Sequence, residues 1–253
     1  MTAVDILLNE DESIDDLQLN GLRIIQSKTQ FRFGMDAILL AHFAEIRPKD
    51  HVVDFGTGTA IIPLIMSQLE KSATFSAIEW QEKMAEIATR NIVMNELDER
   101  IQVFHADFRD APDFLENKKV QVIVCNPPYG KLESTLKNPN NNISIARHEE
   151  QCSLSETLKS ASNLLGYHGR MYIVFPAQRL LELCDEARKV KLEPKRLRFV
   201  CSKASKPPYL VLIEVMKQAK PMLKWLPPLI VYNEDGSETT ELKQIYSGGK
   251  ENV

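Results

Sequence analysis

The chain has 253 residues, 43% apolar and 26% charged, with a net charge of -4, which suits one large α/β domain with a modest appendage and does not by itself favour a polyanionic partner. Its four cysteines, Cys125, Cys152, Cys184 and Cys201, form no CxxC pair, so neither a disulfide framework nor a zinc site is indicated and a cytoplasmic location is expected. No basic-then-apolar leader opens the sequence and no stretch approaches the roughly 20 apolar residues of a membrane span, so a soluble, unexported protein with no membrane partner is expected.

Short β-rich runs alternate with helical ones, the signature of a parallel sheet covered by helices. Leu17-Gln18-Leu19, the turn pair Asn20-Gly21 and residues 22–26 read as a small hairpin. A helix is expected over 36–46, broken by Pro48, then a buried strand over 51–55 ending in a glycine turn and a helix over 61–69. Further along, strands are expected at 73–79, 101–104 and 120–125, with a helix at 82–95 between the first two. The polar, asparagine-rich 130–143 stretch has no hydrophobic period and reads as a mobile loop. Helices follow at 155–165 and 178–190, with strands at 170–175, 196–201 and 209–217, and the end of the chain reads as a short extended piece and a polar tail. The division expected is an extension over 1–30, a main domain over 31–220 and a tail over 221–253.

Chemistry-bearing residues fall at strand ends, where open α/β sheets bind ligands. Asp54, Gly56, Thr57 and Gly58 lie in a tight strand-to-helix turn, and glycine lets backbone approach a ligand closely. A dinucleotide loop needs a small third residue where this chain has Ile61, which disfavours a nicotinamide cofactor. The turn resembles instead the D-x-G-x-G turn of Rossmann-like methyltransferases, which accommodates the methionine part of S-adenosylmethionine. Glu79, beside Trp80, stands about 20 residues on, as a ribose-binding acid should. Asp107 and Phe108, after the third strand, resemble that superfamily's adenine-binding position.

Asn126-Pro127-Pro128-Tyr129 follows the fourth strand and resembles the [DNS]-P-P-[YFW] motif of methyltransferases acting on planar amino nitrogens. Such an amine is a poor nucleophile because its lone pair is delocalised. An Asn126 oxygen and the Pro127 carbonyl can each accept one of its hydrogens, aiming the nitrogen at the methyl group. Tyr129 can stack on the extruded base, as base–aromatic stacks do. The resemblance implies a class I fold with a mainly parallel seven-stranded sheet, helices on both faces and a small N-terminal hairpin. No metal is expected, since His42, His51, His105, His148 and His168 show no ligand spacing.

A closer resemblance rests on Gln30-Phe31-Arg32-Phe33-Gly34-Met35-Asp36-Ala37 through Leu40, the Asn-Pro-Pro-Tyr tetrad, Ile145-Ala146-Arg147-His148-Glu149, and Leu226-Pro227-Pro228-Leu229-Ile230-Val231-Tyr232. Together these look like the bacterial family that methylates N6 of adenine beside the anticodon of a valine tRNA. That resemblance implies RNA, specifically tRNA, as partner and adds Phe33 and Asp36 to the cofactor site. Similar tetrads serve rRNA guanine-N2, DNA adenine and protein glutamine methylation, and a non-catalytic cofactor- or RNA-binding module also stays open. Charge is unevenly spread: every charged residue in 1–21 is acidic, whereas 188–224 is strongly basic, with Lys195, Arg196 and Arg198 as candidate phosphate contacts.

Overall fold

The computed structural model describes residues 8–28, 34–115, 119–127 and 153–248. A hairpin of β1 (Glu12–Asp16) and β2 (Arg23–Ser27) precedes α1 (Met35–Phe43). Alternating units follow: β3 (His51–Phe55), α2 (Ile61–Leu69), β4 (Thr74–Glu79), α3 (Glu82–Met94), β5 (Ile101–His105), a 3-10 turn (Phe108–Asp110), α4 (Ala111–Phe114) and β6 (Val120–Cys125). The second half carries α5 (Leu154–Leu164), β7 (Leu165–Pro176), a 3-10 turn (Ala177–Arg179), α6 (Leu180–Lys189), β8 (Leu192–Cys201) and β9 (Pro208–Lys217). Two short strands, β10 (Lys224–Trp225) and β11 (Leu229–Ile230), and α7 (Thr240–Tyr246) complete it.

The main sheet runs β10-β8-β9-β7-β6-β3-β4-β5, with β11 also on β8. Strands β3 to β7 are mutually parallel, and β9 runs antiparallel to both β7 and β8. The expected seven long strands are present, and β10 and β11 bring the sheet to nine. Strand β3 is buried at every position, as expected where helices cover both faces. Helices α1, α2 and α7 share one apolar core and α4, α5 and α6 the other. On α3, Ala88 and Ile92 face the sheet, while Met84, Ile87 and Met94 meet Ile25 of the hairpin.

Two local expectations are corrected. The first arm of the hairpin is Glu12–Asp16, and Leu17 to Leu22 form the connection, closed by Leu17 N–H to the Leu22 carbonyl at 2.9 Å. Ile14 pairs with Ile25, and the otherwise polar arm is fixed by Glu12, which is buried against Arg90 of α3 at 2.5 Å. At the other end, the expected polar tail contains a helix, capped by the Thr239 hydroxyl accepting from Leu242 N–H at 3.3 Å. Its Leu242 and Ile245 are buried in the core that α1 also lines, giving a one-sided apolar contact too short to read as a period. Among the described residues no helix is long and apolar enough to cross a membrane.

Parallel register sets the site. Phe55 is level with Ile78 and Cys125, and Ile78 with Phe104. One residue further along, Gly56, Glu79 and Asn126 therefore emerge at the same edge. Chain order reverses between β3 and β6, so Gly56 and Asn126 flank the crevice where such sheets bind ligands.

Candidate active site

The turn after β3 takes left-handed backbone at Gly56 (φ 69°) and Gly58 (φ 58°), a conformation strained for other residues. It is tied to the neighbouring strand, since Gly56 and Thr57 N–H groups both donate to the Ile78 carbonyl at 3.0 Å. Asp54, 1% exposed, accepts from the Thr57 hydroxyl at 2.6 Å, while its Oδ1 is buried with no hydrogen-bond partner among the described residues. Burial pushes the Asp54 carboxyl up to about 7, with the Thr57 bond opposing and nearby Glu79 adding to the rise.

Glu79 closes the same unit from β4. Its two oxygens accept from Gly58 N–H and Gln81 N–H, each at 2.9 Å. Burial raises its pKa against the pull of those bonds. Trp80 beside it is half-exposed. Asn91 of α3 braces the turn from behind: fully buried, it accepts from Ile25 N–H at 2.6 Å and donates to the Thr59 carbonyl at 3.0 Å, joining the hairpin to the glycine turn.

Beyond β5, Asp107 caps the 3-10 turn, accepting from Arg109 N–H at 2.8 Å and from its guanidinium at 2.5 Å. Partial burial opposes ionisation there, but the Arg109 bonds outweigh it and hold the carboxyl below its ordinary range. Phe108 stacks on Phe55 at 4.6 Å between ring centroids, giving a flat apolar wall beside the turn. Half-buried Asn126 and Pro127 follow β6. Asp36 in the first turn of α1 accepts from Ala37 N–H at 3.0 Å, and a side chain at Gly34 would collide with its Oδ1 at 2.6 Å.

Comparison with known proteins shows the family and the fold. The model of the methyltransferase small domain matches residues 21–185. A tRNA1(Val) (adenine(37)-N6)-methyltransferase of Bacteroides fragilis is 32% identical over 78% of this chain and 81% of its own length. The chain belongs to this methyltransferase family. Its counterpart in Parabacteroides distasonis is 32% identical over 82% of this chain and 85% of its own. In three dimensions the fold is that of a predicted O-methyltransferase of Agrobacterium tumefaciens, at TM-score 0.70 and 18% identity, covering 87% of this chain and 100% of that one. The fold is thus that of class I methyltransferases.

Within this methyltransferase, the structure joins Asp54, Gly56, Thr57, Gly58 and Glu79 in one hydrogen-bonded unit and sets Trp80, Asp107, Phe108, Asn126 and Pro127 on neighbouring strand ends. Phe33, Pro128 and Tyr129 lie outside the described residues, as do the 130–143 stretch and residues 145–149. Asn91 and the Phe55 ring were not singled out in the sequence, because a polar residue on a helix and a phenylalanine in a strand are both ordinary there. Among the described residues no three His, Cys, Asp or Glu side chains come together as a metal site.

The structure corrects one electrostatic expectation. Arg198 is 3% exposed, donates to the Pro227 carbonyl at 2.9 Å and pairs with Glu241. Arg196 pairs with Glu45 and Glu214, donates to the Phe43 carbonyl at 2.7 Å and lies over the Phe43 ring. Lys195 donates to the Lys220 carbonyl at 2.9 Å. The two arginines are therefore internal ties and not an RNA-facing patch, because β8 buries Arg198, and partly buries Arg196, against acids remote in sequence.

Proposed function

We propose that the protein transfers the methyl group of S-adenosylmethionine to N6 of adenine 37 in tRNA1(Val). The observation that carries this reading is the placement of Asn126 and Pro127 beside the Gly56–Gly58 turn, at the point where strand order reverses, in a chain of this family. When bound, S-adenosylmethionine supplies an electrophilic methyl group. The residues present fit it. Buried Asp54 Oδ1, lacking a partner, suits the cation of the methionine moiety, the remaining lone pairs of Glu79 suit ribose hydroxyls, and Phe108 with Asp107 suits the adenine. Phe33, Asp36 and Trp80 complete the proposed cofactor surroundings.

Asn126 Oδ1 and the Pro127 carbonyl each accept one hydrogen of the exocyclic amine, fixing its orientation and stabilising the positive charge that develops on nitrogen. Pro128 stiffens the backbone that aims this carbonyl, and Tyr129 stacks on the extruded base. Residues 31–220 form the catalytic domain in this reading, framed by an extension over 1–30 and a segment over 221–253. A cytoplasmic site of action agrees with the free thiols of Cys184 and Cys201.

Incubation with unmodified total tRNA and labelled cofactor, followed by nucleoside mass spectrometry, tests the proposal. N6-methyladenosine mapped to position 37 is the expected product. Label in guanosine, in protein, or in nothing would overturn it.

A further inference from the structure

At the same edge of the sheet, two strands beyond Asn126, lies a feature that cofactor binding does not use. The register of β8 against β9 passes from Val200↔Leu210 directly to Cys201↔Pro208, so Tyr209 has no counterpart on β8. This is a β-bulge, a device that re-aims a side chain and recurs beside active sites. Tyr209 keeps 38% of its surface exposed, although its strand neighbour Leu210 is buried.

The segment after β11 brings a second ring to the same place. Leu226, Leu229 and Val231 are buried, and Tyr232 emerges 37% exposed with its N–H donating to the Ser202 carbonyl at 2.9 Å. This gives the Leu226–Tyr232 motif a physical purpose, since its apolar residues anchor on β8 and deliver Tyr232 to the rim. Partial burial first, then Tyr232, Asp36, Cys201 and Tyr246, push the Tyr209 hydroxyl up to about 12, which places these groups within electrostatic reach of one another and of the first turn of α1. Lys206 stands exposed on the turn between β8 and β9. That turn is clamped to the C-terminal segment by Lys203 Nζ donating to the Glu234 carbonyl at 2.8 Å and by Ser205 donating to the Glu234 carboxylate at 3.1 Å.

We propose that Tyr209 and Tyr232, with Lys206 beside them, form an RNA-docking rim that stacks the unpaired nucleotides flanking the target adenine in an anticodon loop. The proposal rests on the tRNA reading above. Adjacent strands are about 4.8 Å apart, so β9 lies roughly 10 Å from β6, and the register sets Tyr209 three residues beyond the level of Asn126, about 14 Å away in all, the reach of a nucleotide one or two along from one held at Asn126. Extruding a base strips its neighbours of a stacking partner. Aromatic faces replace that partner without regard to sequence, and a lysine neutralises the adjoining phosphate.

The test measures affinity for unmodified tRNA, its salt dependence, the KM for tRNA and the Kd for S-adenosylmethionine in the full chain. Tyr209→Ala and Tyr232→Ala are each expected to weaken tRNA binding roughly 5- to 100-fold, with cofactor affinity unmoved. Tyr209→Phe should restore binding to within about twofold, because the ring stacks and the hydroxyl does not. Lys206→Ala, at an exposed position on the turn, should lower the salt slope by about one. Unchanged tRNA affinity in both alanine variants, with methylation of tRNA by the wild type intact, overturns the rim and leaves the proposed function standing. Equal losses of tRNA and cofactor affinity assign the tyrosines a structural role and overturn it as well. A wild type that methylates protein instead of tRNA overturns both proposals together.

Discussion

Buried charge occurs in two parts of this sheet and means different things in each. At the ends of β3 and β4, Asp54 and Glu79 lie close enough for Glu79 to raise the Asp54 carboxyl further, and one Asp54 oxygen has no hydrogen bond among the described residues. On β8, Arg198 is as deeply placed and Arg196 is partly buried, yet each meets acids and carbonyls of opposite polarity. Burying a carboxylate beside another carboxylate costs stability, and a fold keeps such a pair where a ligand later meets it. Burying an arginine among acids and carbonyls ties elements together. The sign of the neighbouring charge, and not buried charge itself, separates this carboxyl pair from the scaffold.

The largest effect expected from breaking this contrast is at Asn126, where loss of one amine-orienting acceptor should lower turnover by ~10²–10³. Single-turnover rates of Asn126→Ala with labelled cofactor check it, and a comparable loss of cofactor affinity would contradict the assignment. On the scaffold side, Arg198→Ala should lower stability by about 2–3 kcal/mol and leave the salt dependence of tRNA binding untouched. Chemical denaturation and tRNA titration separate the two results, and a shallower salt slope would restore Arg198 to an RNA-facing role. Glu79→Ala should weaken cofactor binding about 10- to 100-fold, read by calorimetry.

The smallest effect is a pH dependence. A carboxyl raised in the folded chain holds its proton more tightly there than when unfolded, so the stability contributed by Asp54 is complete below the ordinary aspartate range and is lost as pH rises through about 7. The anion is the form that meets a cationic cofactor group, so affinity should rise roughly tenfold between about pH 6 and 8. Asp54→Asn should flatten both curves, and a wild-type affinity independent of pH in that range would remove Asp54 from the cofactor contact.

Sequence reading succeeded where the determinants are local. The strand His51–Phe55, the helix Ile61–Leu69 and the strand Val120–Cys125 have the bounds expected from their apolar runs, and parallel topology then placed Asp54, Glu79 and Asn126 at one edge. It failed where the partner is distant. Glu12 is in a strand because of Arg90, 78 positions away, and Arg196 is internal because of Glu45, 151 positions away. Asn91 bonds a hairpin 66 residues earlier, and nothing in its helix announces that role.

The short strands after residue 223 have a consequence for solubility. Without them β8 would present a row of unpaired amide and carbonyl groups along its outer border, an invitation to strands of other molecules. Lys224–Trp225 and Leu229–Ile230 occupy that border in parallel register, and Leu226 N–H and Val231 N–H bond the Leu197 and Cys201 carbonyls at 2.9 Å each. A chain cut before this segment would lose its guard strip along with Tyr232, and self-association would accompany the loss of RNA docking.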